Sequence, residues 1–522
     1  MKWKINNLEL DQNNLVNDIY RSRGVNDYQK LFALNEKDLY DPYLFRDMQK
    51  SVDRIMKAIE RKERILIYGD YDVDGITSTY VIYKTLIELG GDVHYDIPNR
   101  FIDGYGLSIS KAYEIINDEF TLVITVDNGI KSVQEAEIFK ENNVDFIITD
   151  HHKIDEDVPN SFSILHTSLS DYPFKPLAGV GVAFKLVQAL IGEDSLEYVD
   201  IVSLGTIADM MPLIDENRAF VNLGLKKMKE SQNIGLVKLL EFLDISEPSV
   251  ADVQYKIAPR INACGRMKSA KLAVELLLSN SNQGALDRIK DIEELNNRRK
   301  KLTTMLYDVA LSQVDISQPS LIIHSPKMHE GVLGIVASRL ASEYSKVSVV
   351  LKEEEYTFKG SIRSYNGVDV IYILSELKDL LIRHGGHKNA AGLELKKENL
   401  PEFKRRFNDL IPDAKRDEAV TAEGKIDIET IDMDQISQLG KFDLKDCLFV
   451  FENISPENRY LIRGEHTKLI ISNGIEAIFF NNKTFYNQIS KIHNVTLLGR
   501  LDINTFKGRS KKQILIEDYI LD

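Results

Sequence analysis

The chain has 522 residues, of which 43% are apolar and 28% charged, and its formal net charge is −14 at pH 7. This length exceeds one ordinary core, so we expect two to four domains, and the composition excludes a disordered chain. No apolar run approaches the roughly 20 residues of a membrane-spanning helix, and the first residues turn polar too early for a signal peptide, which predicts a cytoplasmic protein. The two cysteines, Cys264 and Cys447, lack a paired spacing, which argues against disulfides and thiolate metal sites.

Up to about Asp215, short β-rich runs alternate with helical stretches, which predicts a doubly wound parallel sheet. The β-rich runs are RILIYGD (64–70), VHYDIP (93–98), TLVITVD (121–127) and VDFIITD (144–150). Such sheets bind ligands beyond the carboxyl ends of their strands. We therefore expect the polar residues that end these runs to meet at one edge of the sheet.

Acidic residues and two histidines follow these runs. They are Asp70, Asp72 and Asp74 in YGDYDVDG, Asp127 in VDNG, Asp150, His151 and His152 in TDHH, and Asp209 in SLGTIADMMPL. Three like charges at alternate positions repel one another and indicate a bound cation, whereas Asp127 or Asp209 alone is also typical of a helix cap or turn. Carboxylates with imidazole and without thiolate favour Mn²⁺ or Mg²⁺. If one carboxylate bridges two ions about 3.5–4 Å apart, phosphodiester hydrolysis is the leading reaction.

The remaining chain divides into three further parts. A helical composition from about Val253 to Leu311 predicts a long helix that connects two domains. A second β/α alternation begins at LIIHS, and from about Glu418 short strands with turn signals predict a small all-β barrel. The expected domains are 1–250 for an N-terminal segment and the catalytic domain, 251–312 for the helical region and connecting helix, 313–416 for a substrate-binding domain, and 417–522 for the barrel.

Three polar stretches have both a functional and a structural interpretation. The stretch GGHKNAAG, Gly385 to Gly392, indicates either a tight turn or a phosphate cradle of backbone N–H groups. The stretch NNRRKK is typical of a solvated helix face. A basic cluster around NTFKGRSKK suits either a solvated hairpin tip or a single-strand track, and consists of Arg500, Lys507, Arg509, Lys511 and Lys512. The acidic total argues only weakly against nucleic acid, because a metal-dependent nuclease must concentrate carboxylates.

Ten motifs in order resemble those of the DHH/DHHA1 phosphoesterases, and more narrowly those of the RecJ single-stranded-DNA exonucleases. They are GDYDVDG, PNRFIDGYGL, VDNG, TDHH, LAGVGVAFKL, GTIADMMPL, PRINACGRM, HEGVLGIVASRL, KGSIRS and GGHKNAAG. The end, LLGRLDINTFKGRSKKQILIEDY, resembles the oligonucleotide-binding barrel of that family, and the similarity runs from about Leu31 to the C-terminus. The resemblance implies an α/β protein with a doubly wound DHH domain, a connecting helix, a smaller α/β DHHA1 domain and an OB-like barrel.

The resemblance also implies an activity and its residues. It implies a 5′-to-3′ exonuclease that releases mononucleotides with two divalent cations, Mn²⁺ or Mg²⁺, in DNA repair and recombination. Carried over by position, the metal ligands are Asp72 and Asp74 for one ion each, Asp127 as the bridge, His151 and Asp209 for the second ion, and Asp70 in support of the first. Asp150 would orient its neighbouring histidine, and His152 would contact the scissile phosphate. The implied phosphate and 5′-end contacts are Arg100, Arg260 or Arg266, Ser361, Arg363, Gly385, Gly386 and His387.

This chain departs from the family at His166 and Thr167, where relatives commonly have a proline, and we expect that change to be harmless. The expected partner of a monomeric enzyme is single-stranded DNA. Longer relatives have a further C-terminal domain, so contacts with single-strand-binding protein or a helicase are in doubt, while catalysis should not depend on them. Two alternatives stay open: a DHH enzyme for short RNA, a cyclic dinucleotide or pyrophosphate, and a non-catalytic DNA-binding scaffold.

Overall fold

The computed structural model describes residues 3–11, 14–100, 106–154, 157–412, 420–480, 482–489, 494–506 and 509–521. The chain forms two compact units, one of residues 34–414 and the other of residues 1–33 together with 415–522. Within the described ranges, no helix has the length and apolar character that crossing a bilayer requires.

The regular elements are numbered along the chain. The strands are β1 Trp3–Glu9, β2 Arg64–Tyr68, β3 Asp92–Asp96, β4 Leu122–Val126, β5 Asp145–Thr149, β6 Ser163–Leu165, β7 Leu321–Ser325, β8 Ser348–Glu353, β9 Thr357–Arg363, β10 Leu381–His387, β11 Ala390–Lys396, β12 Val420–Lys425, β13 Phe449–Ile454, β14 Asn458–Ile462, β15 His466–Ile470, β16 Glu476–Phe479, β17 Val495–Phe506 and β18 Arg509–Leu521. The helices are α1 Leu15–Ser22, α2 Tyr28–Ala33, α3 Met48–Glu60, α4 Val73–Glu88, α5 Ile109–Asn117, α6 Val133–Glu141, α7 Gly179–Ile191, α8 Val199–Ala208, α9 Asp215–Met228, α10 Ile234–Phe242, α11 Val250–Asp252, α12 Ala258–Met267, α13 Lys271–Leu277, α14 Asn282–Leu311, α15 Leu333–Tyr344, α16 Val370–Glu376, α17 Leu400–Leu410, α18 Met433–Lys441 and α19 Lys483–Ile489.

The larger unit begins with a parallel sheet in the order β3-β2-β4-β5-β6. All five residues of β4 are buried, as expected for a central strand covered by helices on both faces. The sheet confirms the predicted doubly wound fold. Because the strands are parallel, the carboxyl ends of β2, β4 and β5 lie at one edge.

The long helix α14 confirms the predicted connecting helix. Its first residue follows Ser281, whose side chain accepts a hydrogen bond from the backbone N–H of Gly284 and caps the helix. One face buries Ile289 and Ile292 against the catalytic domain core, whereas Leu306 further along packs with β7 and α15 of the next domain. The helix therefore joins two hydrophobic cores within one unit.

The second sheet of this unit has the order β10-β11-β9-β8-β7. Strands β7 and β8 are parallel, and the other neighbours pair in antiparallel fashion. Strands β10 and β11 form a hairpin at the sheet edge, and residues 382–389 in it are exposed. The GGHKNAAG stretch therefore occupies an accessible hairpin.

The smaller unit contains one sheet in the order β1-β12-β13-β17-β18-β16-β15-β14. The N-terminal segment, which the sequence analysis grouped with the catalytic domain, belongs here: β1 pairs in parallel with β12, beginning with Trp3 beside Val420. Trp3 is buried, and its Nε1 donates to Asp518 Oδ2 at 2.9 Å. Burial of an indole whose N–H is satisfied explains why the segment lies in this unit. The helices α18 and α19 make this unit less purely β than predicted.

Candidate active site

The turn after β2 places three carboxylates at the beginning of α4. Asp72 is the N-cap residue, and its Oδ1 accepts a hydrogen bond of 3.1 Å from the backbone N–H of Gly75. Asp70 Oδ1 accepts one of 2.7 Å from Tyr71. A Cβ on Gly75 would lie 2.5 Å from the carbonyl oxygen of Asp70, so only glycine permits this tight turn. The helix N-terminus partly offsets the negative charge of the turn.

A second helix N-terminus holds Asp74. Its carboxylate accepts hydrogen bonds from the backbone N–H groups of Gly179 at 2.7 Å and Val180 at 2.8 Å, where α7 begins. A Cβ on Gly179 would lie 2.5 Å from Asp127 Oδ1, so this glycine also makes room for the next strand end. Sequence reasoning assigned Gly179 and Val180 no role, although LAGVGV places glycines directly at the start of an apolar helix.

Asp127 lies at the centre of the cluster. It follows β4 with a φ of +60°, a left-handed conformation that aspartate and asparagine adopt more readily than most residues. Its Oδ1 is buried, lies 3.1 Å from His151 Nε2, and has no hydrogen-bond donor among the described residues. The ring of His151 also hydrogen-bonds to the backbone of Leu177. With the ring proton on Nδ1, His151 Nε2 would face Asp127 Oδ1 as a second acceptor, an arrangement that a cation between the two atoms would stabilise.

Asp150, His151 and His152 of the TDHH stretch follow β5, and hydrogen bonds with Asp150 and His166 fix the position of His152. Asp150 Oδ1 lies 2.8 Å from His152 Nδ1 and accepts from two backbone N–H groups, and its Oδ2 accepts from Ile130. His166, at the position expected to be harmless, lies with its Nε2 2.8 Å from the carbonyl oxygen of His152 and accepts at Nδ1 from Ser168. Residue His152 is therefore held from two sides.

The ligand atoms fall into three overlapping groups, each within 4.8 Å. They are Asp70, Asp72 and Asp127; Asp74, His151 and Asp209; and Asp127, His151 and His152. His151 Nε2 lies 3.7 Å from Asp74 Oδ2 and 3.8 Å from Asp209 Oδ2, and the latter oxygen is buried without a hydrogen-bond partner in the described chain. Oxygen and imidazole donors with orphaned buried oxygens fit hard divalent cations such as Mn²⁺ and Mg²⁺.

Burial makes the carboxylates poor anions in the absence of a cation. Desolvation, followed by neighbouring carboxylates, raises the pKa of Asp74 to about 7 and that of Asp209 to about 8. The same causes raise the pKa values of Asp70 and Asp127 well above the usual range. Without a cation these carboxyl groups therefore favour the protonated form, and a bound cation would favour their ionised forms.

The two histidines have opposite shifts. Burial, followed by the charge of His152, lowers the pKa of His151 to about 4, which keeps its imidazole neutral as a metal ligand must be. Burial opposes the charge of His152, but the hydrogen bond and charge of Asp150 raise its pKa to about 9. The hydrogen bond from His152 in turn overcomes burial and lowers the pKa of Asp150 to about 2. This shift favours the protonated, cationic form of His152 in the metal-free site.

Several predicted phosphate contacts come together beside this cluster. The guanidinium of Arg100 lies 5.1 Å from the centre of the Tyr71 ring, and Arg363 Nη1 donates to Ser361 Oγ at 2.8 Å. Burial and then the charge of Arg100 lower the pKa of Arg266 to about 10, and both causes also lower that of Arg363. We call Arg100, Arg266 and Arg363 the guanidinium cluster. Guanidinium groups near enough to perturb one another suit a phosphate, which Arg binds with two parallel hydrogen bonds.

The GGH stretch lies on the β10–β11 hairpin. Gly386 has a φ of +144°, and a Cβ there would lie 2.4 Å from the carbonyl oxygen of Ala390. This glycine is thus required by the hairpin itself, in line with the tight-turn interpretation, while Gly385 has open space where a side chain would project. Burial and the charges of Arg363 and His152 lower the pKa of His387. The His387 ring is therefore close enough to Arg363 and His152 for their charges to act on it.

The arginines of the helical region have different surroundings. Arg260 Nε pairs with Glu293 Oε2 at 2.7 Å and its Nη1 donates to the carbonyl of Lys256, whereas the charges of Arg100 and Arg363 act directly on Arg266. Arg299, in the stretch interpreted as a solvated face, donates from Nη2 to Asn296 and has a buried Nε without a partner in the described chain. Its charge also acts on Arg266. Part of NNRRKK therefore faces inward.

The basic cluster of the smaller unit is only partly available to a ligand. Lys512 Nζ donates to the carbonyls of Ile428, Glu429 and Ile431, so its role is structural. Arg500 pairs with Asp446 and Glu517, each at 2.8 Å. Lys511 is exposed, with Nζ 3.7 Å from Glu476 Oε1, and Arg509 is exposed too, whereas Lys507 lies outside the described residues.

Comparisons with known proteins identify the domains along the chain. Residues 64–206 match the DHH family, N-terminal domain, and residues 311–413 match the DHHA1 domain. Residues 422–518 match the RecJ OB domain. The order of these three matches is that of the motifs.

The chain is 30% identical to the single-stranded-DNA-specific exonuclease RecJ of Haemophilus influenzae over 97% of this chain and 96% of that protein. The chain belongs to the RecJ family. The RecJ of Bacillus subtilis is 36% identical over 92% of this chain, which spans 64% of the length of that relative. A crystal structure of RecJ from Thermus thermophilus in complex with Mn²⁺ is also similar, with a TM-score of 0.83, 28% identity, and coverage of 97% of this chain and 76% of that chain.

Proposed function

We propose that this chain is a divalent-metal-dependent exonuclease that degrades single-stranded DNA from its 5′ end and releases mononucleotides. The observation that carries the proposal is the buried carboxylate and imidazole cluster beside the guanidinium cluster, in a chain of the RecJ family. The first suits phosphodiester hydrolysis and the second suits the phosphates of the substrate.

The ligand groups support a site for two cations. Asp70 and Asp72 would hold one, and Asp74, His151 and Asp209 the other. Asp127 would bridge them, since it belongs to the first group and its Oδ1 lies 3.1 Å from His151 Nε2. Divalent cations supply Lewis-acid stabilisation of the phosphoryl group and lower the pKa of water. The N-termini of α4 and α7 orient the carboxylates for this role.

His152 would hold a proton at Nε2, directed at the scissile phosphate. Its Nδ1 lies 2.8 Å from Asp150 Oδ1, which fixes the ring, and we assign Nε2 to the contact with the substrate. A pKa of about 9 keeps this proton in place at neutral pH. The fixed cation would stabilise the charge that develops on a phosphoryl oxygen.

Substrate selection would depend on the second domain and the smaller unit. Ser361 and Arg363 on β9, with Arg100 and Arg266, would hold phosphates at the 5′ end, and the hairpin at Gly385 to His387 would border the cleft. In the smaller unit, Arg509 and Lys511 are the described candidates for gripping a longer strand. We assign residues 34–250 to catalysis, 251–312 to the connection, and 313–414 to substrate binding. Single-stranded DNA is the proposed partner, and contacts with single-strand-binding protein or a helicase stay a prediction from the family resemblance.

The test compares 5′-labelled and 3′-labelled single strands and a blunt duplex, each with Mn²⁺, with Mg²⁺ and with EDTA. The proposal expects early release of a labelled mononucleotide from the 5′-labelled strand only, no reaction in EDTA, and a blunt duplex degraded far more slowly. Early release from the 3′ end, or equal rates on duplex and single strand, would contradict it. Hydrolysis confined to short RNA or a cyclic dinucleotide would favour the small-substrate alternative, and binding without hydrolysis would favour a scaffold.

A further inference from the structure

The motif HEGVLGIVASRL has no role in the function proposed so far. It forms a 3₁₀ turn, Glu330–Val332, followed by α15. Two of its glycines lie against arginines of the guanidinium cluster. A Cβ on Gly331 would lie 1.9 Å from the carbonyl oxygen of Arg266, and a Cβ on Gly334 would lie 2.4 Å from Arg363 Nη2.

The two close approaches differ in kind. At Gly331 the obstacle is backbone, so any side chain would force the turn away from α12. At Gly334 the nearest atoms are side-chain ends, the Arg363 guanidinium and then Ser361 Oγ at 3.2 Å. An arginine side chain has several rotatable bonds and can move aside, while the α15 backbone stays in place. A substitution at Gly334 therefore displaces Arg363 selectively.

Arg363 lies in a place that is electrostatically unfavourable without an anion. Its guanidinium adjoins the first turn of α15, the positive end of a 12-residue helix. In the part of the chain that the structure describes, its hydrogen-bond acceptors are Ser361 Oγ and the carbonyl of Ile362, and no carboxylate lies within ion-pair distance. Helix N–H groups and a guanidinium in this arrangement suit one phosphate between them.

We propose that Gly334 is a positioning residue: the absence of a side chain there creates the space that holds the Arg363 guanidinium where it binds a phosphate of the DNA substrate. This inference rests on the proposed function, because Arg363 must contact the substrate for its position to matter. Gly334 itself touches no reacting atom and acts only through Arg363.

The test is Gly334→Ala, measured by thermal unfolding and by steady-state kinetics on a 5′-phosphorylated single strand with Mn²⁺. Alanine favours the helix more than glycine does, so the melting temperature should stay equal or rise. Because hydrogen bonds to charged groups are strong, KM should rise by about 10-fold or more, while kcat changes little. A merely structural glycine would instead lower the melting temperature when substituted, and that result would overturn the proposal.

A double-mutant cycle separates the possible causes. Arg363→Ala should raise KM as Gly334→Ala does. The KM of the double variant should be no higher than that of Arg363→Ala alone, since the substitution at Gly334 acts only through Arg363. Additive losses, or an unchanged KM for Gly334→Ala beside a raised one for Arg363→Ala, would refute the role of Gly334. The matched control is Gly440→Ala, a helical glycine of α18 with open space around its Cβ position, which should change neither KM nor kcat. Failure of the wild type to degrade single strands would refute the proposed function itself.

Discussion

The bridging role that we propose for Asp127 gives the sharpest test of the metal site. We choose Asp127→Asn in preference to alanine, because asparagine has the same shape and also tolerates the φ of +60° at this position. Alanine would add backbone strain of about 1–2 kcal/mol in a left-handed conformation and confuse the interpretation. The exchange removes one negative charge and leaves the neighbouring ligands in place.

The structure predicts opposite effects on activity and on stability. Asp127 belongs to one ligand group with Asp70 and Asp72 and to another with His151 and His152, so in the proposed arrangement the loss of its carboxylate weakens both cation positions. Lewis-acid stabilisation is worth several kcal/mol, and a loss of about 4 kcal/mol lowers kcat about 10³-fold. Without metal, the same carboxylate is buried and repelled by its neighbours, which raises its pKa well above the usual range. The metal-free variant should therefore melt at a higher temperature than the wild type at pH 7.

Asp74 in the same cluster behaves alike: burial, and then the charge of Asp72, raises its pKa to about 7. Ionising several of these carboxyl groups together is therefore unfavourable without a cation. The assay is thermal unfolding in EDTA and in Mn²⁺, paired with turnover of a labelled single strand at saturating Mn²⁺. The matched control is Asp244→Asn, which changes an exposed aspartate at a φ of +54° and should alter neither measurement. Turnover of Asp127→Asn within a few fold of wild type would refute the two-cation arrangement.

Three further predictions concern other parts of the molecule. In metal-free protein, thermal stability should fall as pH rises from about 4 to 8, because the folded-state pKa of Asp209 is about 8 and the folded protein keeps a proton that the unfolded chain releases. Mn²⁺ should remove this dependence on pH. A stability that rises over the same range would contradict the prediction. Replacing Arg509 and Lys511 together should weaken the salt dependence of binding to long single strands. The slope of log binding constant against log salt concentration should fall in magnitude by about 0.7 for each phosphate that the variant no longer binds, with turnover of a short oligonucleotide unchanged. An unchanged slope would favour the solvated-tip interpretation for both residues. His166→Phe, which removes the donor to the His152 carbonyl, should lower kcat about 10-fold at saturating Mn²⁺ without changing the Mn²⁺ requirement, and unaltered kcat would show the bond to be dispensable.

The position of the acidic cluster was predictable because strand alternation alone determines which ends of the strands meet. Asp70, Asp127 and Asp150 follow three separate β-rich runs, and parallel pairing brings the ends of those runs to one edge. Their proximity thus depends on local pattern plus one rule of sheet topology. The roles of the individual ligands came from the family resemblance, and they stay predictions until the variants are measured.

Features that depend on distant pairing were not predictable in the same way. The run that contains Trp3 has a strand pattern, but its partner strand begins at Val420, and nothing in the local sequence indicates that pairing. Lys512 lies in a stretch with the composition of a solvated hairpin, yet three backbone carbonyls from a neighbouring loop accept its hydrogen bonds. Local charge indicates what a side chain can bind, whereas the fold decides which acceptors reach it first.

The same reasoning explains why glycines carry so much of the information that the sequence analysis missed. A glycine at Gly179 or Gly334 has no chemistry of its own, so a search for ligands and charges passes over it. In the structure each one leaves the space in which a functional side chain lies, Asp127 in the first case and Arg363 in the second. Close packing means that a single added methyl group must displace one of its neighbours. The geometry of a buried charged site is therefore determined as much by the positions that lack a side chain as by those that bear the charge.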